Sequence, residues 1–178
     1  MKLSTETFIV IPKPREEVFD FCTDDENTAR TLRPLGPIAG VAKIQMHEGQ
    51  SLETGAHRTI TMTDGVVLEE EILDYTRPTR HQYRWVGGIK PPFAWLVRSG
   101  TGCWEFSEVS GGTRIVWSYV FELRSALAYP LALPINSLFK RWMAQGLGTI
   151  AAEMVRQSTA APSIRHVASS ASARSRAR

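Results

Sequence analysis

The side chains that could perform acid–base chemistry lie in three short stretches in the middle of the chain: the pair His57-Arg58, the run Glu69-Glu70-Glu71, and His81 with Tyr83. Successive side chains of a strand point to opposite faces, so Glu69 and Glu71 would share one face and Glu70 would take the other. A carboxylate that points into an apolar interior has a raised pKa and can serve as a general acid or base. The three stretches therefore hold the first candidates for a reactive site.

Four residues are the candidates for catalysis: His57, Glu71, His81 and Tyr83. On a strand, His81 and Tyr83 share a face, and together they could polarise a ligand carbonyl in an apolar pocket. An ordinary structural role is the alternative, because edge strands often carry solvated or arginine-paired acids, and buried His and Tyr tips often bond to the backbone. The sequence leaves both interpretations open, and it does not indicate which of Glu69, Glu70 and Glu71 face inward.

Motifs for a metal ion, a phosphate group or a nucleophilic serine are missing from the sequence. The four histidines are scattered without a second ligand at zinc spacing, so we expect no metal and no cofactor. Cys22 and Cys103 stand alone and are expected to be buried, reduced thiols. The first residues are too polar for a signal peptide, and a cytoplasmic location is expected.

Aromatic and apolar side chains are the second group of site candidates, because five tryptophans are present. Aromatic surface suits flat ring ligands or lipid chains, although it suits a protein core equally well. We expect the following residues to line a ligand site: Trp85, Trp95, Trp104, Trp117, Tyr119, Leu138 and Trp142.

The elements that must position these residues can be predicted from periodicity and turn signals. A strand at residues 6–11 precedes two short helices, at about 15–21 and from residue 24 or 25 to 31. Alternating runs then predict six strands at about 39–47, 56–62, 66–75, 81–86, 101–109 and 113–123. Turn residues at 63–65 and 110–112 indicate tight hairpins, so the neighbouring strands should pair antiparallel.

Apolar residues recur at helical spacing from Ile135 to Val155 and predict an amphipathic helix of about 20 residues. Pro130 and Pro134 suit its beginning or its first turn. A helix of this size is about 30 Å long, enough to cross a small sheet. We expect a bent sheet around this single long helix, with free volume between them as the ligand site.

The basic charge of the chain is concentrated at its end. Residues 157–178 contain four arginines and no acid, and the rest of the chain carries 17 basic and 18 acidic residues. We therefore expect one domain at 1–156 and a disordered Ser/Ala/Arg-rich tail at 157–178. The alternative is a tail that tethers the protein weakly to an anionic surface or a nucleic acid, but no nucleic-acid partner is expected.

The segment from Phe8 to Phe21 resembles the opening of helix-grip domains of the START/Bet v 1-like (SRPBCC) superfamily, in particular the polyketide cyclase/dehydrase and lipid-transport family. Its turn and helix carry a P-x-x-x-V-F pattern at residues 14–19, and residues 74–80 and 111–117 add weaker similarity. The resemblance covers about residues 5–156. It implies an α+β helix-grip fold, with two short helices after strand 1 and about seven antiparallel strands curved around a long C-terminal helix.

The resemblance implies a hydrophobic cavity but supplies no common catalytic motif. One function is the binding and carriage of a small hydrophobic lipid, polyketide or aromatic molecule. The alternative is a cyclase- or dehydratase-type enzyme that uses the acid–base candidates above. The apolar segments 93–97 and 125–134 could form a rim for transient membrane contact, or pack under the long helix. Ligand identity and oligomeric state are not indicated.

Overall fold

The computed structural model describes residues 1–91 and 93–160. In these residues seven strands form one sheet: β1 Lys2–Ile11, β2 Val41–Met46, β3 His57–Met62, β4 Val67–Thr76, β5 Arg80–Gly87, β6 Val97–Val109 and β7 Gly112–Leu123. Four α-helices accompany them: α1 Arg15–Thr23, α2 Asp25–Thr31, α3 Phe93–Leu96 and α4 Tyr129–Ala160. The predicted helix-grip architecture is confirmed.

The strands follow the order β1-β7-β6-β5-β4-β3-β2, and every neighbouring pair is antiparallel. Strands β2 to β7 form a meander, and β1 pairs with β7 over ten residues. The hairpins predicted at residues 63–65 and 110–112 join β3 to β4 and β6 to β7, as expected. Helices α1 and α2 lie in the connection that carries the chain from one edge of the sheet to the other.

The two short helices have local causes in the sequence. Glu16 and Glu17 lie in the first turn of α1, where carboxylates interact favourably with the helix dipole. Asp24 caps α2, because its carboxylate accepts a hydrogen bond of 2.8 Å from the backbone N–H of Asn27. Both helices were predicted, and α1 continues two residues beyond the predicted end, to Thr23.

Helix α4 is longer than predicted at both ends. It begins at Tyr129, so that Pro130 lies in its first turn and Pro134 lies inside the helix, beyond the expected first-turn position. A 3₁₀ turn, Ala126–Ala128, leads into it. Its last residue is Ala160, four residues past the expected domain boundary, and the rest of the predicted tail, residues 161–178, lies outside the described residues. None of the described helices is long and apolar enough to cross a membrane.

The core lies between the concave face of the sheet and α4. Alternate residues of β7 point inward and are all buried: Thr113, Ile115, Trp117, Tyr119 and Phe121. Helix α4 meets them with aromatic rings, since Phe139 lies 5.0 Å from the Tyr119 ring centroid and Trp142 lies 5.6 Å from that of Trp117. The aromatic side chains of the helix and the sheet therefore occupy most of the space between them.

Candidate functional site

A cluster of buried polar side chains lies on the inward face of β3, β4 and β5. Arg58 and Glu70 are directly opposed on neighbouring strands, and their exposed fractions are 5% and 3%. His81 and Tyr83 follow on β5 and are also buried. Charged residues are rarely buried to this extent unless they are paired, so this cluster is the most unusual feature of the interior.

The phase of β4 places Glu70 inward and its two neighbours outward. Glu70 shares the buried face with Leu68 and Ile72, and the strand keeps this phase despite register shifts against β5 on either side of residues 70–72. Glu69 lies 3.2 Å from the His47 ring, and Glu71 accepts a hydrogen bond of 2.7 Å from Arg84. Of the three glutamates whose orientation the sequence leaves open, Glu70 is the interior one.

The Arg58 guanidinium is the centre of the polar cluster. Its Nε donates to Glu70 Oε2 at 3.0 Å, and Trp85 Nε1 donates to the other carboxylate oxygen at 3.1 Å. Nη1 lies 3.6 Å from Asp25 Oδ1, and Nη2 lies 3.5 Å from His81 Nε2. The two terminal nitrogens therefore have long contacts, whereas Nε is firmly bonded.

Burial and charge act against each other in this pair. Burial raises the pKa of Glu70, and the Arg58 charge and the hydrogen bonds from Arg58 and Trp85 lower it, with a net upward shift. Burial also lowers the pKa of Arg58, but the Glu70 charge reverses this and the pKa is raised. Arg58 consequently keeps its positive charge, and it holds the carboxylate in place inside an apolar shell.

His81 is neutral in this environment. Burial, and then the nearby Arg58 charge, hold its pKa well below the ordinary value. Because a guanidinium can only donate, Nε2 of His81 is the acceptor and the ring proton sits on Nδ1. Burial likewise raises the pKa of Tyr83 to about 12, and its hydroxyl accepts a hydrogen bond of 3.3 Å from Trp104 Nε1.

A cavity of about 50 Å³ adjoins the polar cluster. Aromatic residues from the sheet and α4 form much of its wall: Trp85, Trp104, Trp117, Tyr119 and Trp142. This volume accommodates one or two water molecules, whereas pockets for drug-sized ligands measure about 300–1,000 Å³. Among the described residues, no chamber of ligand size is open at this site, because Phe139 and Trp142 of α4 pack directly on the rings of β7.

The structure separates the expected lining residues into two groups. Five of them, the aromatic residues just named, contact the cavity, whereas Leu138 is half-buried on α4 and does not line it. Trp95 is 70% exposed. Helix α3 directs Phe93 inward, with its ring 5.7 Å from that of Phe121, and leaves Trp95 on the surface.

The candidates for catalysis are also divided. His81 and Tyr83 line the cavity, with ring centroids 5.4 Å apart. His57 lies on the outer face, where its ring stacks on that of His47 at 5.8 Å, and Glu71 is bonded to Arg84 on the same side of the sheet. The structure therefore brings together only the two candidates on β5.

Arg58 and Glu70 are the interior polar residues that the sequence interpretation did not select. A signal for them is present in the alternation of the strands. Glu70 stands between Leu68 and Ile72 at a spacing of two residues, and Arg58 stands two residues before Ile60. A charge at a position that the strand period assigns to the apolar face, opposite its counter-charge on the next strand, indicates a buried pair.

In the described parts of the chain, no group of three or more His, Cys, Asp or Glu side chains could hold a metal ion. Cys22 lines the cavity as a buried thiol, and burial raises its pKa. The chemistry available at the site therefore comes from the guanidinium, a neutral imidazole, a tyrosine hydroxyl and the aromatic walls.

Comparison with known proteins identifies a family that matches the chain and solved structures with a similar fold. The family model described as "Polyketide cyclase / dehydrase and lipid transport" matches residues 2–155. The chain is similar to the solved structure of Ara h 8.0201, with a TM-score of 0.63, 16% identity, and coverage of 88% of this chain and 99% of that one. Protein NE0264 from Nitrosomonas europaea has a TM-score of 0.64 and 16% identity, with coverage of 89% and 97%.

The di-domain ARO/CYC protein BexL of the BE-7585A biosynthetic pathway is also similar, with a TM-score of 0.59 and 18% identity. That match covers 85% of this chain and 49% of the other, so the chain spans about half of the di-domain protein. No curated protein sequence matches significantly. At these identities the solved structures show a shared fold.

Proposed function

Because the chain belongs to the polyketide cyclase/dehydrase and lipid transport family, we propose that it binds a small, largely apolar molecule between the sheet and α4 and carries or sequesters it. The observation that supports this most directly is the wall of four tryptophans and Tyr119 around an interior cavity with one polar end. Flat aromatic surfaces bind rings and hydrocarbon chains by burying apolar area.

The polar end selects for a ligand with one hydrogen-bond acceptor. The terminal nitrogens of Arg58 make only long contacts, so their N–H groups can bond to a ligand carbonyl or hydroxyl oxygen. A negative charge on the ligand is disfavoured, because the carboxyl groups of Glu70 and Asp25 already face this guanidinium. The proposed ligand is a neutral aromatic or polyketide-like molecule with a carbonyl directed at Arg58.

Binding requires the interior to expand beyond the observed volume. The part of the cavity wall that could move outward is the connection between α2 and β2. Leu32 in this connection lines the cavity and packs beside Gly146 of α4. Trp142 Nε1 donates to the Arg33 carbonyl at 2.9 Å, and Gln145 Nε2 donates to that of Pro34 at 3.4 Å. Release of these two hydrogen bonds would let the connection move away from α4 and admit a ligand.

Native mass spectrometry of protein purified from its own source tests the proposal. A co-purified small molecule is expected, and it should rebind to the stripped protein. Ile60→Phe, which adds volume inside the cavity, should lower the affinity at least tenfold, whereas Thr61→Val on the other face of β3 should leave it unchanged. A protein without any co-purified molecule, or equal affinity in Ile60→Phe, would remove the basis of the proposal.

A second candidate function, a cyclase- or dehydratase-type reaction, is favoured by the neutral His81 beside Tyr83 in the same cavity. Glu70 is occupied by Arg58 and Trp85, so His81 Nε2 is the remaining proton acceptor. Because burial and the Arg58 charge oppose its protonation, the transfer requires that the negative charge left on the ligand be stabilised by Arg58. Incubation of the stripped protein with the co-purified molecule should then yield a product that has lost water or gained a ring. His81→Gln should abolish this conversion and retain binding; a ligand that stays unchanged assigns the protein to carriage.

A further inference from the structure

Three large apolar side chains of α3 and of residues 126–131, the 3₁₀ turn with the start of α4, are exposed to solvent. The exposed fractions are 70% for Trp95, 86% for Leu127 and 63% for Leu131. Arg124 connects the two segments, because its Nε donates to the Ala94 carbonyl at 2.6 Å and its backbone N–H donates to that of Leu96. Trp95 and these leucines therefore belong to one region of the surface, called the apolar face below.

The charges on these two segments have a single sign. Residues 86–104 and 123–152 contain no Asp or Glu. Lys90, Arg98 and Arg124 flank α3 on both sides and are exposed. The acid next to them along the chain, Glu122, accepts a hydrogen bond from Ser99 and lies 4.0 Å from Lys2. The apolar face is thus bordered by cationic groups.

We propose that the apolar face docks on the surface of an anionic phospholipid bilayer. Tryptophan prefers the interface between lipid tails and headgroups, and leucines at this depth enter the acyl boundary. Arg and Lys beside them pair with lipid phosphates, each contributing about a fivefold increase in binding near an anionic surface. The cationic border complements the negative charge of an anionic bilayer, which favours a membrane as the occupant.

The apolar face also covers one end of the interior. Phe93 projects from the inner side of α3, and its ring lies 6.3 Å from that of Trp85, which lines the cavity. A bilayer on this face would lie one layer of side chains away from the aromatic wall. The docking proposal does not depend on any ligand in the cavity, so each can fail without the other.

Vesicle co-sedimentation of the full chain tests the proposal. The protein is expected to bind vesicles of phosphatidylcholine mixed with phosphatidylglycerol, to bind vesicles of phosphatidylcholine alone at least tenfold more weakly, and to dissociate at high salt. Trp95→Ala combined with Leu131→Ala should lower the partition coefficient at least tenfold, and Arg98→Gln about fivefold. The tryptophan fluorescence of the protein should shift to the blue and be quenched by brominated lipids, and Trp95→Ala should remove both changes.

Phe8→Ala is the matched control, because Phe8 is an aromatic residue, 60% exposed, on the outer face of β1. It should bind anionic vesicles as the unmodified protein does. Equal binding of Trp95→Ala/Leu131→Ala and the unmodified protein would overturn the proposal. So would a dimer that Trp95→Ala dissociates in a protein that binds no vesicles, because the face would then be an interface between two copies of the chain.

Discussion

Arg58 and Glu70 form an ion pair inside the aromatic interior, and the same sheet carries a second Arg–Glu pair on its outer face. The inner pair is bonded at 3.0 Å and buried, whereas Arg84 and Glu71 are bonded at 2.7 Å and partly exposed. The two pairs should contribute differently to stability. When one partner is removed, the remaining charge of the exposed pair is hydrated by water, whereas that of the buried pair is not.

Arg58→Met should therefore lower the free energy of unfolding by about 3–5 kcal/mol, since Glu70 remains as an uncompensated buried carboxylate. The double variant Arg58→Met/Glu70→Leu should recover most of this loss. Urea unfolding at pH 7 measures both. Arg84→Met is the control on the outer face and should cost no more than about 1 kcal/mol; equal losses in the two single variants would show that the inner pair has no special role.

His81 makes stability depend on pH. Its pKa is lowered in the folded protein, so the unfolded chain binds a proton more readily below about pH 6.5. The contribution of His81 is therefore complete above that pH and is lost as the pH falls, by at most about 2 kcal/mol between pH 7 and pH 5. Glu70 and Asp25, whose pKa values are raised by burial, act in the opposite direction.

A comparison of urea unfolding for the unmodified protein and His81→Gln at pH 7 and pH 5 isolates the histidine, since both proteins keep the two acids. The free energy of unfolding of the unmodified protein minus that of His81→Gln should be smaller at pH 5 than at pH 7, by at most about 2 kcal/mol. If the free energies of unfolding of the two proteins changed equally between pH 7 and pH 5, His81 would take up its proton as readily in the folded protein as in the unfolded chain, which contradicts the prediction.

At the residue scale, the sequence identified His81 and Tyr83 as inward candidates because they alternate with polar residues toward an apolar face. It did not select Glu70, because three consecutive glutamates erase the polar–apolar contrast from which strand phase is inferred. The neighbours Leu68 and Ile72 carry the missing information. The expectation that Trp95 lines the cavity is wrong, because it rests on residue type alone. A tryptophan in a short connection has no periodicity that indicates its direction.

At the scale of elements, glycines on β6 make room for the interior rings of β5. Gly102 is paired with Tyr83, and a Cβ at this glycine would lie 2.5 Å from Cζ of that ring. A Cβ at Gly100 would lie 2.8 Å from the Trp85 ring. Tyr83 and Trp85 are successive inward-facing residues of β5. The concave face has room for both rings because the glycines on β6 carry no side chain beside them.

Helix α4 contains two glycines, one facing open space and one facing a neighbouring side chain. Together they give a matched test of how the helix packs. At Gly148 an added Cβ meets nothing within 4 Å, whereas at Gly146 it would lie 2.6 Å from Leu32 Cδ2. Gly148→Ala should raise the free energy of unfolding by about 1 kcal/mol, because alanine is the better helix former. Gly146→Ala should gain less or destabilise the protein; thermal unfolding of both variants measures the difference, and equal gains would mean that Leu32 does not press on α4.

All seven strands and the three longer helices could be predicted, but several boundaries could not. Strands β1 and β6 begin four residues earlier than predicted, at Lys2 and Val97, because pairing with the long strand β7 extends them through residues with weak strand preference. Helix α4 begins six residues earlier than the apolar pattern: Pro130 lies in its first turn, where proline is tolerated, and the helix continues through Pro134. Helix α3 has only four residues and no pattern to reveal it.

At the scale of the whole molecule, the sequence predicted a bent sheet around one long helix, and the structure has that arrangement. The free volume between them could not be predicted, because it is a small difference between two large volumes. One is the space that the curved sheet and the helix enclose, and the other is the volume of the side chains that fill it. The cavity beside the polar cluster measures about 50 Å³. A ligand-binding protein of this construction must be able to exchange its own aromatic packing for contacts with the ligand.

The location of a bound aromatic probe is the measurement that tests this account most directly. The protein is labelled with ¹³C in its Ile and Leu methyl groups, the neutral aromatic probe N-phenyl-1-naphthylamine is added, and intermolecular NOEs are recorded. Binding inside the sheet predicts NOEs from the probe to the methyl groups of Ile44, Ile60 and Leu68, which line the cavity. NOEs confined to the exposed Leu127 and Leu131, or an absence of binding, would contradict the account.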